Sequence, residues 1–201
     1  MSELQEALAR LDEIVRRLRV ECPWDREQDE RSIVPHTVEE AYELADAAHH
    51  GDDAKLRDEL GDVLFQVWFL ALLLEERGAG SLEQVADDLR AKLIRRHPHV
   101  FGDREAASAG DVVRNWNQIK RDDERGGEIF GELPETLPST LYAKKVLKRA
   151  ESAGHAWNGQ DADDSGDRLL AAVKEAVEAG VDPELALRRA ADRFREQVEK
   201  A

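Results

Sequence analysis

Five carboxylates carry the first chemical signal: Glu39, Glu40 and Glu43 precede a Gly51-Asp52 turn, and Glu59 and Asp62 follow it. Glu40/Glu43 and Glu59/Asp62 are each three residues apart, so each pair lies on one helix face. If the two segments form an antiparallel hairpin, Glu43 and Glu59 stand about eight residues from its midpoint, and Glu40 and Asp62 about eleven. At ~1.5 Å of rise per residue the pairs are nearly level, and four carboxylates converge. Alone, such a cluster repels itself and raises its own pKa values. A divalent cation removes the conflict. Hard oxygen ligands without His or Cys favour Mg²⁺, with Mn²⁺ as a substitute. The plainer alternative is a solvated acidic face, because a chain with 44 Asp and Glu shows such pairs by chance.

A second group is basic. Lys92, Arg95 and Arg96 end one helical pattern, where they suit either phosphate oxygens or the negative end of the helix dipole. Trp116 and Lys120, one turn apart, either meet a base and a phosphate or belong to a packed face. Lys55, one turn before Glu59, either reaches a phosphate or pairs with its acidic neighbours. His97 and His99 flank Pro98 without a third soft ligand and read as turn residues. The chain has no glycine-rich phosphate loop and no Gly-x-Ser-x-Gly, and the lone Cys22 has no evident helper.

The elements that must position these groups are helical. Proline is scarce, and Ala, Leu, Glu and Arg abound. Leu4, Leu8, Leu11, Val15 and Leu18 mark a first amphipathic helix, broken at Cys22-Pro23-Trp24-Asp25. Thr37-Val-Glu-Glu40 has the form of a capping box, so a second helix is expected from there to His50. A third runs from Asp53 to Arg77, and a fourth opens at the Ser81-Leu-Glu-Gln84 box and ends near Arg96. A turn follows over Arg95–Gly102, then a fifth helix from Asp111 to Arg125. Three more patterns cover Leu141–Ala153, Asp167–Ala179 and Pro183–Lys200. Val63–Leu74 is apolar nearly all round and needs cover on several sides, which predicts a helix bundle completed by a second subunit.

The net charge of −15 argues against binding nucleic-acid polymers or acidic membranes through a basic face. The Val63–Leu74 run falls short of the ~20 residues that a spanning helix needs. The charged amino terminus lacks a signal-type apolar stretch, and one cysteine forms no intrachain disulfide, so a cytoplasmic setting is expected.

Cys22-Pro-Trp-Asp25, Glu39-Glu-Ala-Tyr-Glu43, Asp58-Glu-Leu-Gly-Asp62, Lys92-Leu-Ile-Arg-Arg-His-Pro-His-Val-Phe101 and Trp116-x-x-x-Lys120 occur in one order. Together they resemble MazG, the nucleoside triphosphate pyrophosphohydrolase family. The resemblance implies an all-α homodimeric bundle and Mg²⁺-dependent cleavage of NTPs or dNTPs to monophosphate and pyrophosphate, a nucleotide-pool housekeeping reaction. It implies Glu40, Glu43, Glu59 and Asp62 as metal ligands, and Glu39 as an additional or water-activating carboxylate. Lys55, Lys92, Arg95 and Arg96 would meet the triphosphate, with Trp116 near the nucleotide and Lys120, beside it on the same helix face, as a further substrate-binding candidate. Base and sugar preference stay open, because related dinucleotide and phosphoribosyl-ATP hydrolases use similar acid pairs.

Residues 1–125 resemble a complete repeat, 126–140 a linker, and 141–201 a second repeat that is shortened. Leu133-Pro-x-x-Leu-Pro, Tyr142-Ala-Lys-Lys and Ala153-Gly-His-Ala-Trp157 look like its opening, and Gly180–Arg188 like its close. Asp163-Asp-Ser-Gly-Asp-Arg-Leu-Leu170 echoes Asp58–Phe65 at an offset of 105 residues. The Glu-Glu-x-x-Glu helix is missing between Trp157 and Asp163, and Glu196 and Gln197 stand where paired arginines are expected. The second repeat therefore reads as non-catalytic. The alternative for the whole chain is a nucleotide-sensing or partner-binding protein with little turnover.

Overall fold

The computed structural model describes residues 2–124, 128–159 and 164–200, and every regular element among them is helical. Gly126, Gly127 and Asp163, which mark the linker and the internal echo, lie outside the described residues. Contacts divide the chain into residues 1–92 and 93–201.

Residues 1–92 carry α1 (Glu3–Glu21), the short α2 (Pro23–Glu27), α3 (Glu30–His50), α4 (Asp53–Glu76) and most of α5 (Leu82–Arg96). The reciprocal Ser2/Gln5 cap opens α1, and the extended backbone of Cys22 closes it. The start of α3 differs from the sequence expectation. Asp29 accepts hydrogen bonds from the Arg31 and Ser32 amides at 2.9 and 2.8 Å, and its own amide donates to Ser32 Oγ at 2.9 Å. That box starts the helix ahead of Pro35. Thr37 lies inside the helix, and its hydroxyl donates to the Ile33 carbonyl at 3.3 Å. Arg31 and Pro35 are both exposed, so water can serve the carbonyl that proline leaves without a donor.

α3 and α4 are joined by the two-residue turn that the sequence predicted. Gly51 closes α3 in the left-handed region at φ 72°, where glycine has no side-chain clash. Asp52 opens α4 by accepting from the Ala54 and Lys55 amides at 2.9 and 3.1 Å. Beyond the turn the two helices pack side by side.

The core of this unit gathers Val15, Ile33, Trp68, Phe69, Leu72 and Leu73 from α1, α3 and α4. Trp68 keeps its indole N–H satisfied by donating to Asp12 at 2.9 Å. Arg16 bonds both oxygens of Glu75, at 3.1 and 2.7 Å, and Arg19 both of Glu76, at 2.8 Å. These two forks tie α1 to the end of α4 and hold both carboxyls below the usual glutamate range. The Val63–Leu74 run is covered by its own chain on one side only. Gln66, Trp68, Phe69, Ala71, Leu72 and Leu73 are buried, whereas Leu60, Leu64 and Val67 form an exposed stripe at four- and three-residue steps.

Residues 93–201 carry the end of α5, α6 (Pro98–Phe101), α7 (Ala109–Glu124), α8 (Ser139–Ser152), α9 (Ser165–Glu178) and α10 (Pro183–Glu199). The segment expected as a plain turn contains α6, because Pro98 sits at a first helical position where its missing N–H costs nothing. Helices α8, α9 and α10 pack on one another around Val173, and Lys144 of α8 pairs with Asp182 at the cap of α10.

Phe69 is fully buried where α1, α3 and α4 meet. Phe69→Ala should destabilise the protein by about 3–5 kcal/mol, through lost burial and the cavity left behind. Chemical denaturation checks this, and a loss under about 1 kcal/mol would contradict the packing described.

Candidate metal centre

The α3–α4 pairing brings the predicted acids together. Glu40, Glu43 and Glu59 each present an oxygen, and all three atoms lie within 4.8 Å of one another. Glu59 is only 5% exposed, Glu40 is half-buried and Glu43 is exposed. Glu59 Oε2 is buried and meets no hydrogen-bond partner among the described residues. Buried carboxylate oxygens are normally paired or metal-bound, so this atom calls for a cation.

The electrostatics agree. Burial pushes the Glu40 carboxyl up, and Asp62, Glu43, Glu59 and Glu39 push it further. Burial also raises Glu59, joined by Glu43, Asp62 and Asp58, while Lys55 pulls in the other direction. One lysine does not balance this many acids. Asp62 stands outside the close triplet, exposed on the same α4 segment, and adds to the negative field at both Glu40 and Glu59. Glu39 is exposed and faces His36, whose Nδ1 lies 3.8 Å from its carboxylate. A donor set made only of carboxylates fits a hard divalent cation rather than a soft one.

The remaining candidates fall in two places. Lys55 is exposed in the first turn of α4, and Lys92 is exposed near the end of α5. Arg95 is exposed and Arg96 is buried, both within residues 93–201. The Arg96 guanidinium lies 5.5 Å from the centre of the Trp116 ring, and the His97 ring lies 6.1 Å from it. This geometry gives Trp116 a cation–π partner. The Trp116 indole nitrogen is buried without a hydrogen-bond partner among the described residues. Lys120 is half-buried one turn further along α7.

His36 was not singled out from sequence. Its position one turn ahead of Glu40 was the available signal, since residues four apart share a helix face.

Fold and site together define an all-α protein with a carboxylate centre suited to a hard divalent cation. Comparison with known proteins gives the family. The profile of the MazG nucleotide pyrophosphohydrolase domain matches residues 28–101. The nucleoside triphosphate pyrophosphohydrolase of Escherichia coli (strain K12) is 33% identical over 203 residues, covering 86% of this chain and 77% of its own. The nucleoside triphosphate pyrophosphohydrolase/pyrophosphatase MazG of Thermotoga maritima is 34% identical, covering 89% and 78%. An uncharacterised 26.1 kDa protein of Streptomyces cacaoi is 39% identical, covering 94% and 80%. The crystal structure of a MazG-related protein from Thermotoga maritima aligns with 56% of this chain and 98% of that one, at 26% identity and a TM-score of 0.49. The chain belongs to the MazG family.

The raised carboxyls set a sign for stability against pH. A glutamate whose pKa is higher folded than unfolded favours the fold at low pH, and that advantage is lost as pH rises through the folded value. Without metal, Glu59→Gln should therefore melt at a higher temperature than the wild type at about pH 7, with the gap closing near the ordinary glutamate range of about pH 4.3. Thermal melts across pH check this. A variant that melts lower at about pH 7 would contradict the strain assigned to the cluster.

Proposed function

We propose that the protein hydrolyses nucleoside triphosphates, NTP or dNTP, to nucleoside monophosphate and pyrophosphate with Mg²⁺. The observation that carries this reading is the convergence of Glu40, Glu43 and Glu59, with the buried Oε2 of Glu59 meeting no hydrogen-bond partner among the described residues. Family membership supplies the reaction class. Glu40, Glu43, Glu59 and Asp62 would hold the cation, with Mn²⁺ able to replace Mg²⁺. When bound, the metal offsets phosphate charge and lowers the pKa of water.

The chain's own groups divide the remaining work. Lys55, exposed in the first turn of α4 and near enough to act on Glu59, is assigned to a phosphate oxygen. Glu39 lies outside the close triplet and keeps its carboxylate exposed, so we assign it the proton of the attacking water. Water adds to the α-phosphorus, the bond to the bridging oxygen breaks, and pyrophosphate leaves with that oxygen. We assign Lys92, Arg95, Arg96 and Lys120 to the triphosphate and Trp116 to the nucleotide. The assignments of Arg95, Arg96, Trp116 and Lys120 rest on their sequence motifs.

We further assign catalysis to residues 1–125 and a non-catalytic role to 141–201, joined by 126–140. The exposed Leu60, Leu64 and Val67 stripe supports a homodimer, since a second α4 would cover it. No helix among the described residues is long and apolar enough to cross a membrane. A cytoplasmic setting in nucleotide-pool housekeeping, without binding to nucleic-acid polymers, completes the reading.

Pyrophosphate and monophosphate release from an NTP and dNTP panel, with Mg²⁺ and then with chelator, tests it. We expect turnover only with metal, and a fall of roughly a hundredfold or more in Glu59→Ala, the scale on which loss of one charge-stabilising group acts. Full activity in that variant would remove Glu59 from the site. Tight nucleotide binding without any pyrophosphate would replace the enzyme reading with the sensing one.

A further inference from the structure

We propose that Trp24 and His36 form the platform for the base of the nucleoside triphosphate, a proposal that rests on the pyrophosphohydrolase reading above. Their ring centres are 5.9 Å apart and their planes meet at 66°, an open corner. Trp24 is 50% exposed, although an indole is usually one of the most buried side chains. The His36 side chain is 47% exposed.

The backbone around Trp24 is held while its ring is left open. Arg19 donates to the carbonyl of Asp25 and, at 3.0 Å, to that of Gln28. Gln28 donates in turn to the Trp24 carbonyl at 2.9 Å, and Asp25 is buried. α2 therefore presents the indole from a fixed support, which lowers the ordering cost of binding.

The platform lies where a base belongs. His36, Glu40 and Glu43 follow one another at four- and three-residue steps on a single face of α3. At ~1.5 Å per residue, His36 stands about 6 Å along the axis from Glu40 and about 10 Å from Glu43. A nucleotide whose phosphates meet the carboxylate cluster spans that distance with its ribose. The indole face then stacks on the base, and Nε2 of His36, the ring nitrogen not turned to Glu39, meets its hydrogen-bonding edge. Stacking tolerates any base, so Trp24 sets affinity and His36 sets preference among bases.

The test compares wild type, Trp24→Ala, Trp24→Phe and His36→Ala by steady-state kinetics on the NTP panel. Inorganic tripolyphosphate serves as a competitive inhibitor that has phosphates and no base. We expect KM for NTPs to rise about tenfold or more in Trp24→Ala, with Trp24→Phe recovering most of the loss. The inhibition constant of tripolyphosphate should stay within about twofold in every variant, because no base contact is involved. His36→Ala should change the ranking of bases more than the inhibition by tripolyphosphate. An unchanged KM in Trp24→Ala overturns the platform and leaves the enzyme reading standing. A parallel rise for NTPs and tripolyphosphate shows only a structural role for the pair and also overturns it. A wild type that hydrolyses no NTP removes the function reading and the platform with it.

Discussion

Everything in the first 92 residues depends on keeping like charges together. Glu40, Glu43 and Glu59 each bring an oxygen within 4.8 Å of the others, Lys55 offsets part of the charge at Glu59, and burial raises the pKa values of Glu40 and Glu59. Such a cluster favours separation. It is opposed at the far end of the same helices, where Val15, Ile33, Phe69 and their neighbours seal α1, α3 and α4 together and Arg16 and Arg19 pin the last turn of α4. The apolar half of α4 stabilises the arrangement that its acidic half resists. This division of labour explains why one helix changes character midway, from Asp58-Glu59-Leu60-Gly61-Asp62 to the run beginning at Val63.

Much of this was legible from sequence because two periodicities coincide. The i,i+3 acid pairs and the Gly51-Asp52 turn were enough to place Glu40, Glu43 and Glu59 together, since helix geometry leaves little freedom across a short turn. The start of α3 was harder to read. The Thr37-Val-Glu-Glu40 pattern was the cap read there, and the Asp29/Ser32 pair was not singled out. The earlier Asp29/Ser32 box prevails because Ile33 is a core residue that must already be helical, while the proline side faces water. The detail around Asp62 was also beyond the spacing argument, which made the two pairs equivalent. Side-chain reach and exposure leave Asp62 outside the closest triplet, and these depend on rotamers that a sequence pattern does not encode.

The second unit has a helical cluster of its own. α8, α9 and α10 pack together around Val173, and Asp164 caps α9. A three-helix cluster with caps and an apolar centre is self-consistent without any metal-binding requirement. Within Asp164–Leu170, Gly166, Asp167 and Leu169 stand where Gly61, Asp62 and Leu64 do in Glu59–Phe65, and both leucines are exposed.

The Gly51-Asp52 turn also acts as a ruler. It contributes no atom to the carboxylate cluster, yet it sets how far α4 has advanced when it passes Glu43. One residue added within the first turn of α4 would rotate all that follows by about 100° and displace it by ~1.5 Å, carrying Glu59 off the shared face. The turn is solvent-exposed, the kind of place where insertions are ordinarily harmless. Here it would be vulnerable to changes in length while remaining tolerant of changes in side chain away from Gly51. Among descendants of this sequence, conservation of a count would mark the site as surely as conservation of its glutamates.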